Sequence, residues 1–243
     1  MIDPPVPGAD IPREAVAPRP AASLVLLRAQ PDDPAAPPDV LMGRRPATAR
    51  FMPGVYVFPG GAVDASDADH AERLIAGGDM PPAALLRTAE TTEARALMWA
   101  ALRETWEETG ILVGRAEAGT AGDAPPPCPA AEAYRTAGML PAADTIHYVA
   151  RAITPPISPI RFDTRFFLAF AADSHGEARA SGELPAVEWV SADWALDSEK
   201  VRGVSKFVLR HALALLAEGG RPAPDRLVPR FTYEGERRVV VEE

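Results

Sequence analysis

Strand-length apolar runs and segments of helical period take turns along this chain, and that alternation limits the fold more than any other feature. AASLVLLRA (21–29) is a continuous apolar run of strand length, ending at the loop QPDDPAAPPD. VLMGRR (40–45) follows as a second strand, placed to pair with the first as a hairpin. GVYVFPGG (54–61) reads as a third short strand running into a glycine turn. From about Pro81 to Gly110 the chain is mostly helix-forming, with Leu97, Ala101 and Thr105 at helical spacing. Residues 115–141 are poor in bulky apolar side chains and read as a loop and a short helix. TRFFLAFAA (164–172) is a strand, AVEWVSADWAL (186–196) a strand leading into a helix, and GVSKFVLRHALALLAEGG (203–220) a helix closed by two glycines. Interspersed strands and helices imply an α/β architecture around a mixed sheet, and no internal repeat is present.

At 243 residues and 47% hydrophobic content the chain can bury a substantial core in one domain with embellishments. Residues 1–20, rich in Pro and Ala, read as an extended arm, 21–218 as the domain and 219–243 as a C-terminal tail. The balance of 25 basic against 34 acidic residues, a net charge of −9, argues against a general nucleic-acid or anionic-membrane surface. The single cysteine, Cys128, lies in proline-rich APPPCPAA without a nearby histidine, which excludes an internal disulfide and reads as an inert thiol. No signal-peptide core and no run of about 18 apolar residues is visible, so a soluble, cytoplasmic protein is expected. The C-terminal VVVEE is not a peroxisomal tripeptide.

The densest chemistry sits in ALRETWEETGIL, where Arg103, Glu104, Glu107 and Glu108 precede Gly110. On a helix the three glutamates are i, i+3 and i+4, so their carboxylates project from one face. Such a cluster is either a solvated acidic face, at a repulsive cost of about 0.2–0.5 kcal/mol per pair, or a seat for a hard divalent cation beside a substrate phosphate.

RETWEETGI (103–111) is similar to the second half of the Nudix hydrolase signature, G-x5-E-x7-R-E-U-x-E-E-x-G-U with U aliphatic. Arg103, Glu104, Glu107, Glu108, Gly110 and Ile111 match in type and spacing, and Thr105 stands where an aliphatic residue is usual. FPGGAVDASD supplies the first half, with Gly61 as leading glycine and Asp67 in place of glutamate. Between Asp67 and Arg103 lie 35 residues instead of seven. A signature interrupted there resembles a Nudix subgroup whose mammalian member is a peroxisomal coenzyme A diphosphatase, and ITPPISPIRFDTRFFLAF (153–170) resembles a further hallmark of that subgroup.

The resemblance implies a Nudix fold, an α/β/α sandwich around a mixed sheet with helical insertions at about 68–95 and 114–145. It implies hydrolysis of a diphosphate linkage in a nucleotide-containing small molecule. Glu104, Glu107 and Glu108, with the backbone carbonyl of Gly61, would hold Mg²⁺ or Mn²⁺, and Arg103 would orient a glutamate. The stretch LMGRRPATARFMPGVYVFPGG resembles the pattern of Nudix enzymes that cleave coenzyme A, through Arg45, Arg50, Gly54, Phe58, Pro59, Gly60 and Gly61; Gly43 and Pro46 depart from it. Arg45 and Arg50 suit bidentate phosphate pairing, or simply balance an acidic surface. The glycine turn at 60–61 lets backbone approach a ligand closely. Candidates for the general base are Glu183 and Glu188, with Glu183 preferred. Arg161, Asp163 and Arg165 share one strand face and either line the pocket or form a structural Arg–Asp pair. Coenzyme A or its acyl derivatives lead as substrate, giving 3′,5′-ADP and (acyl-)4′-phosphopantetheine; ADP-ribose, dinucleoside polyphosphates or NAD(H) are the alternative. A nucleotide sensor without activity is the rival from another class, disfavoured because all three glutamates are present. The insertions would form a wall against the pantetheine arm or a contact in a homodimer.

Overall fold

The computed structural model describes residues 16–243 except 31, 34–35, 50–52, 76–82, 117–127, 224 and 236. In chain order the strands are β1 (Arg19–Arg28), β2 (Asp39–Arg44), β3 (Tyr56–Val57), β4 (Gly60–Ala62), β5 (Leu112–Val113), β6 (Arg115–Ala116), β7 (Met139–Leu140), β8 (His147–Ile153), β9 (Phe162–Phe170), β10 (Ser174–His175), β11 (Ala186–Ser191), β12 (Pro229–Glu234) and β13 (Arg237–Glu242). The helices are α1 (Asp67–Leu74), α2 (Thr91–Thr109), α3 (Pro129–Ala137), α4 (Ala192–Asp197) and α5 (Gly203–Ala217).

The main sheet is mixed, in the order β11-β2-β1-β9-β8-β12-β13, with β3 beside β2 and β4 beside β1. β1 is its spine. It runs parallel to β9 from Arg19↔Phe162 to Leu27↔Phe170, and antiparallel to β2 at one end and to β4 at the other. The unbroken apolar character of β1 follows from cover on both faces. Ala22, Leu24 and Leu26 pack with Leu97, Trp99 and Ala101 of α2, whereas Val25 and Leu27 pack with Val208, Leu209 and Ala212 of α5. Helices on both sides of a mixed sheet make the expected α/β sandwich.

α2 begins after Glu90 and ends at Gly110, whose φ of 76° is the left-handed cap that glycine adopts without strain. Thr105, in the signature's aliphatic position, is fully buried because its hydroxyl donates to the Ala101 carbonyl at 2.7 Å.

Three boundaries differ from the sequence reading. α2 starts at Thr91 rather than near Pro81, because residues 83–87 form a turn. Arg19 and Pro20, assigned to the arm, open β1. Residues 219–243 are not a tail: β12 and β13 form a hairpin around Gly235 (φ 62°), docked by parallel pairing of β12 onto β8. Phe231 anchors it, with its ring 5.3 Å from that of Phe207 on α5. The insertion at 68–95 contributes the rest of α1 and a turn that buries Leu86, and the one at 114–145 contributes α3 and the β6–β7 pair. Among the described residues no helix is long and apolar enough to cross a membrane.

Candidate active site

The interrupted signature is rejoined in space. Arg103 grips Asp67 in two parallel bonds, Nε to Oδ1 at 2.9 Å and Nη2 to Oδ2 at 3.0 Å, across the insertion. Asp67 is wholly buried and also accepts the Asp64 N–H at 2.7 Å. The rest of the guanidinium reaches the helix and the turn. Its Nη1 donates to Glu104 Oε1 at 2.8 Å and Glu107 Oε2 at 2.9 Å, and its Nη2 to the Ala62 carbonyl at 3.2 Å. Arg103 therefore fixes two glutamates and the glycine turn in one network. Those contacts hold its proton more firmly than usual despite burial.

The turn needs both glycines. A Cβ on Gly60 (φ 153°) would lie 2.5–2.6 Å from Ala22 and Ser23, and one on Gly61 would lie 2.4–2.8 Å from the Glu104 carboxylate. Ser23 holds the turn against β1 by donating to the Pro59 carbonyl at 2.8 Å. Glu108 closes it by accepting the Gly60 N–H at 2.8 Å.

Carboxylates outnumber cations here. Burial pushes Glu108 up to about 8; the Gly60 N–H opposes this, Glu104 and Glu183 add to it, and Arg45 opposes it. Glu104 is raised too, by burial first and then, against Arg103, by Glu107 and Glu183. Glu183 and Arg45 thus bear on the same cluster as the helix glutamates.

Glu183 sits on a tight turn in which Ser181 N–H donates to the Leu184 carbonyl at 2.9 Å and Leu184 N–H to Ser181 Oγ at 3.0 Å. Leu184 is fully buried and fills the space over Gly43, where a Cβ would come within 2.2 Å of its Cδ1. Gly43, a departure from the coenzyme A pattern, is the floor that seats this turn.

Other sequence candidates are placed elsewhere. Phe58 does not line the site: it is buried in the α5-side core, 6.4 Å from the Phe166 ring, because the turn faces it inward. Arg161 does not face it either, since its guanidinium donates to the carbonyls of Thr154 (3.1 Å) and Val16 (2.6 Å). Gly54 forms a turn with φ 69°. Glu188 accepts a bond from Tyr56 at 3.3 Å. Asp163 is the structural partner of Arg151, at 2.7 and 2.8 Å, and of Arg165. Arg50 lies outside the described residues. Sequence reasoning assigned no site role to Asp67, Leu184 or Gly43; Asp67 alone carried a signal, its place at the signature's glutamate. A cavity of about 390 Å³ runs from Asp64 along α2 past Thr92 and Leu97 to Arg87 and Thr88 of the insertion, and Asp163 and Arg165, besides pairing with each other, stand in its wall.

No family model matches the chain. The crystal structure of a NUDIX hydrolase from Alicyclobacillus acidocaldarius is 32% identical, with a TM-score of 0.62 over 83% of this chain and 96% of that one. Among curated proteins, nudix hydrolase 7 of Caenorhabditis elegans is 28% identical over 166 residues, which cover 65% of this chain. The chain spans about half the length of that relative, 48%. A glycine turn laid against an acidic helix defines the class of site, and near-complete coverage of the Alicyclobacillus structure supplies the lineage. The protein belongs to the Nudix hydrolase family.

Proposed function

We propose that the protein hydrolyses a nucleoside diphosphate linkage with a divalent metal, and that coenzyme A or acyl-coenzyme A is its substrate. The observation that carries the reading is the carboxylate cluster against the Gly60–Gly61 turn, where buried Glu108 accepts the Gly60 N–H at 2.8 Å and the half-buried Glu104 occupies the space that a Cβ on Gly61 would need.

Among the described residues no three metal-binding side chains are gathered around one point. Arg103 Nη1 instead takes an oxygen from each of Glu104 and Glu107. The donor chemistry nevertheless fits a hard cation: carboxylate oxygens in excess, and a glycine whose missing Cβ leaves backbone against Glu104. Glu104, Glu107, Glu108 and the Gly61 carbonyl would hold Mg²⁺ or Mn²⁺. When bound, such an ion lowers the pKa of a water and neutralises charge on the bridging phosphates. Glu183, on its fixed turn, would take the proton of the attacking water. Arg45, with Arg50, would pair with substrate phosphate oxygens, and Arg103 would hold Glu104 and Glu107 in place.

A second reading, hydrolysis of ADP-ribose, dinucleoside polyphosphates or NAD(H), is favoured by the same geometry. Two positions of the coenzyme A pattern, Gly54 and Phe58, serve turn and core here rather than a pocket wall. Mass spectrometry of products from coenzyme A, ADP-ribose, a dinucleoside polyphosphate and NADH, with Mg²⁺ or Mn²⁺ and beside Glu107→Gln, separates the two. Release of 3′,5′-ADP from coenzyme A supports the first reading, preferential cleavage of another compound supports the second, and no turnover of any removes both.

A further inference from the structure

The outer edge of the main sheet carries a strand whose sequence is complementary to itself. β13 ends the sheet order, and its residues run Arg237-Arg238-Val239-Val240-Val241-Glu242, followed by Glu243. Val228 and Glu243 exchange both backbone bonds, at 2.9 and 3.1 Å. In an antiparallel ladder bonded and non-bonded pairs alternate. The register of β12 with β13 therefore turns the backbone groups of Val239 and Val241 inward and those of Arg238, Val240 and Glu242 outward. Each outward residue presents an N–H and a C=O on the side of β13 that no strand among the described residues pairs. Val240 is 54% exposed and Val241 36%.

Natural sheets guard such edges with lysine, proline, a bulge or an inward charge. The centre of this one is three valines, and the charges at its ends are opposite in sign. Laid antiparallel on a second copy about a twofold axis at Val240, the strand sets Val240 against Val240, Val239 against Val241, and Arg238 against Glu242 on both sides. The outward backbone groups of the two strands then face one another in bonded pairs. A parallel arrangement would set arginine beside arginine and glutamate beside glutamate.

Arg237 is held by Glu234 of its own chain, and Glu243 by Arg151 and Arg230, so the charge match rests on Arg238 and Glu242. Both are exposed and neither forms a salt bridge among the described residues. Arg238 holds its guanidinium carbon 5.4 Å from the Phe231 ring on the neighbouring strand, so pairing with Glu242 of a second copy requires that group to swing outward from the ring.

We propose that β13 is an isologous interface: two copies of this chain pair edge to edge, antiparallel and centred on Val240, into one continuous sheet. The inference is independent of the substrate. The test is sedimentation velocity of the full chain across the micromolar range, with circular dichroism to check each variant's fold. The wild type is expected to dimerise, and Arg238→Glu and Glu242→Arg each to weaken the dimer about tenfold or more. Arg238→Glu/Glu242→Arg together restores it, and Val240→Pro, which removes an outward N–H, abolishes it. A wild type that stays monomeric overturns the proposal, as does a dimer unchanged by either single reversal. Failure of a folded double variant to recover dimerisation overturns the register.

Discussion

Two arginine knots in this molecule share one geometry and differ in what surrounds them. At the glycine turn Arg103 grips Asp67 through Nε and Nη2, and on the sheet Arg151 grips Asp163 through the same two nitrogens. Around Arg103 stand Glu104, Glu107 and Asp64, with Glu108 and Glu183 behind them. Around Asp163 stand Arg151 and Arg165, with Glu243 shared between Arg151 and Arg230. The pKa directions follow the balance: Glu104 and Glu108 are raised, whereas Asp163 is lowered because Arg151 and Arg165 overcome the effect of burial. A bidentate pair in itself says little about function. A surplus of one sign around it marks the knot that still has a use for a counter-charge.

The sharpest way to break that contrast is to remove one carboxylate from each knot. Glu107→Gln is expected to lower kcat by on the order of 10²–10³-fold, the scale of losing one electrostatic contact to the transition state. Its melting temperature should hardly move, since the Glu107 side chain is 35% exposed. Asp163→Asn should do the reverse, leaving kcat intact and costing about 1–3 kcal/mol, because Arg165 loses its carboxylate while Arg151 keeps Glu243. Steady-state kinetics and chemical denaturation of both variants check this. Equal loss of activity in the two would erase the distinction between a site and a structural knot.

Asp67→Asn tests whether the interrupted signature works as a unit. Asn keeps the shape but loses the charge that fixes Arg103, so Glu104 and Glu107 lose their orientation. The expected fall in kcat is about 10–100-fold, the range for groups that orient metal ligands, with weaker activation by Mg²⁺ in a titration. Unchanged activity would reduce Asp67 to a local tie in the turn that precedes α1.

Local patterns in the sequence carried the β1–β2 hairpin, the glycine turn, α2 and its acidic face, because hydrophobic period and turn residues are short-range signals. The signature also pointed across the insertion to Asp67. Side chains claimed by distant partners were not legible. Arg161 has the chemistry of a phosphate ligand, yet the Thr154 and Val16 carbonyls take its donors, and Val16 is 145 residues away. Phe58 beside the glycine turn reads as a substrate-binding residue until Phe166 is seen against it. The β12–β13 hairpin escaped because its outer strand is largely exposed and lacks a one-sided apolar alternation.

The turn bearing Glu183 offers a subtler test on the catalytic side. Gly43→Ala places a methyl in the space of Leu184, and overpacking of that kind costs about 1–3 kcal/mol. Displacement of the turn should reduce kcat about tenfold if Glu183 is the base. Adding Leu184→Ala makes room for the methyl and should recover part of the stability. Kinetics that ignore both changes would leave the turn without a role in catalysis.

The smallest expected effect concerns stability and pH in the metal-free protein. Glu108 has a folded-state pKa of about 8, above the ordinary 4.5, so the folded state holds a proton that the unfolded state releases. Between these values the native chain binds more protons, and stability falls as pH rises. Its contribution is fully present below 4.5 and lost as pH passes through about 8. Asp163 has the opposite sign: its lowered pKa contributes stability above the ordinary value, lost as pH falls. Thermal melts in chelator should therefore decline by a few degrees from pH 5 to pH 8, and Glu108→Gln should flatten that slope while leaving the acid limb set by Asp163. Mg²⁺ should flatten it as well, because a cation that favours the ionised carboxylate removes the reason for its proton. A slope that survives both changes would mean that the carboxylate surplus at the turn is neutralised by something other than Glu108's proton.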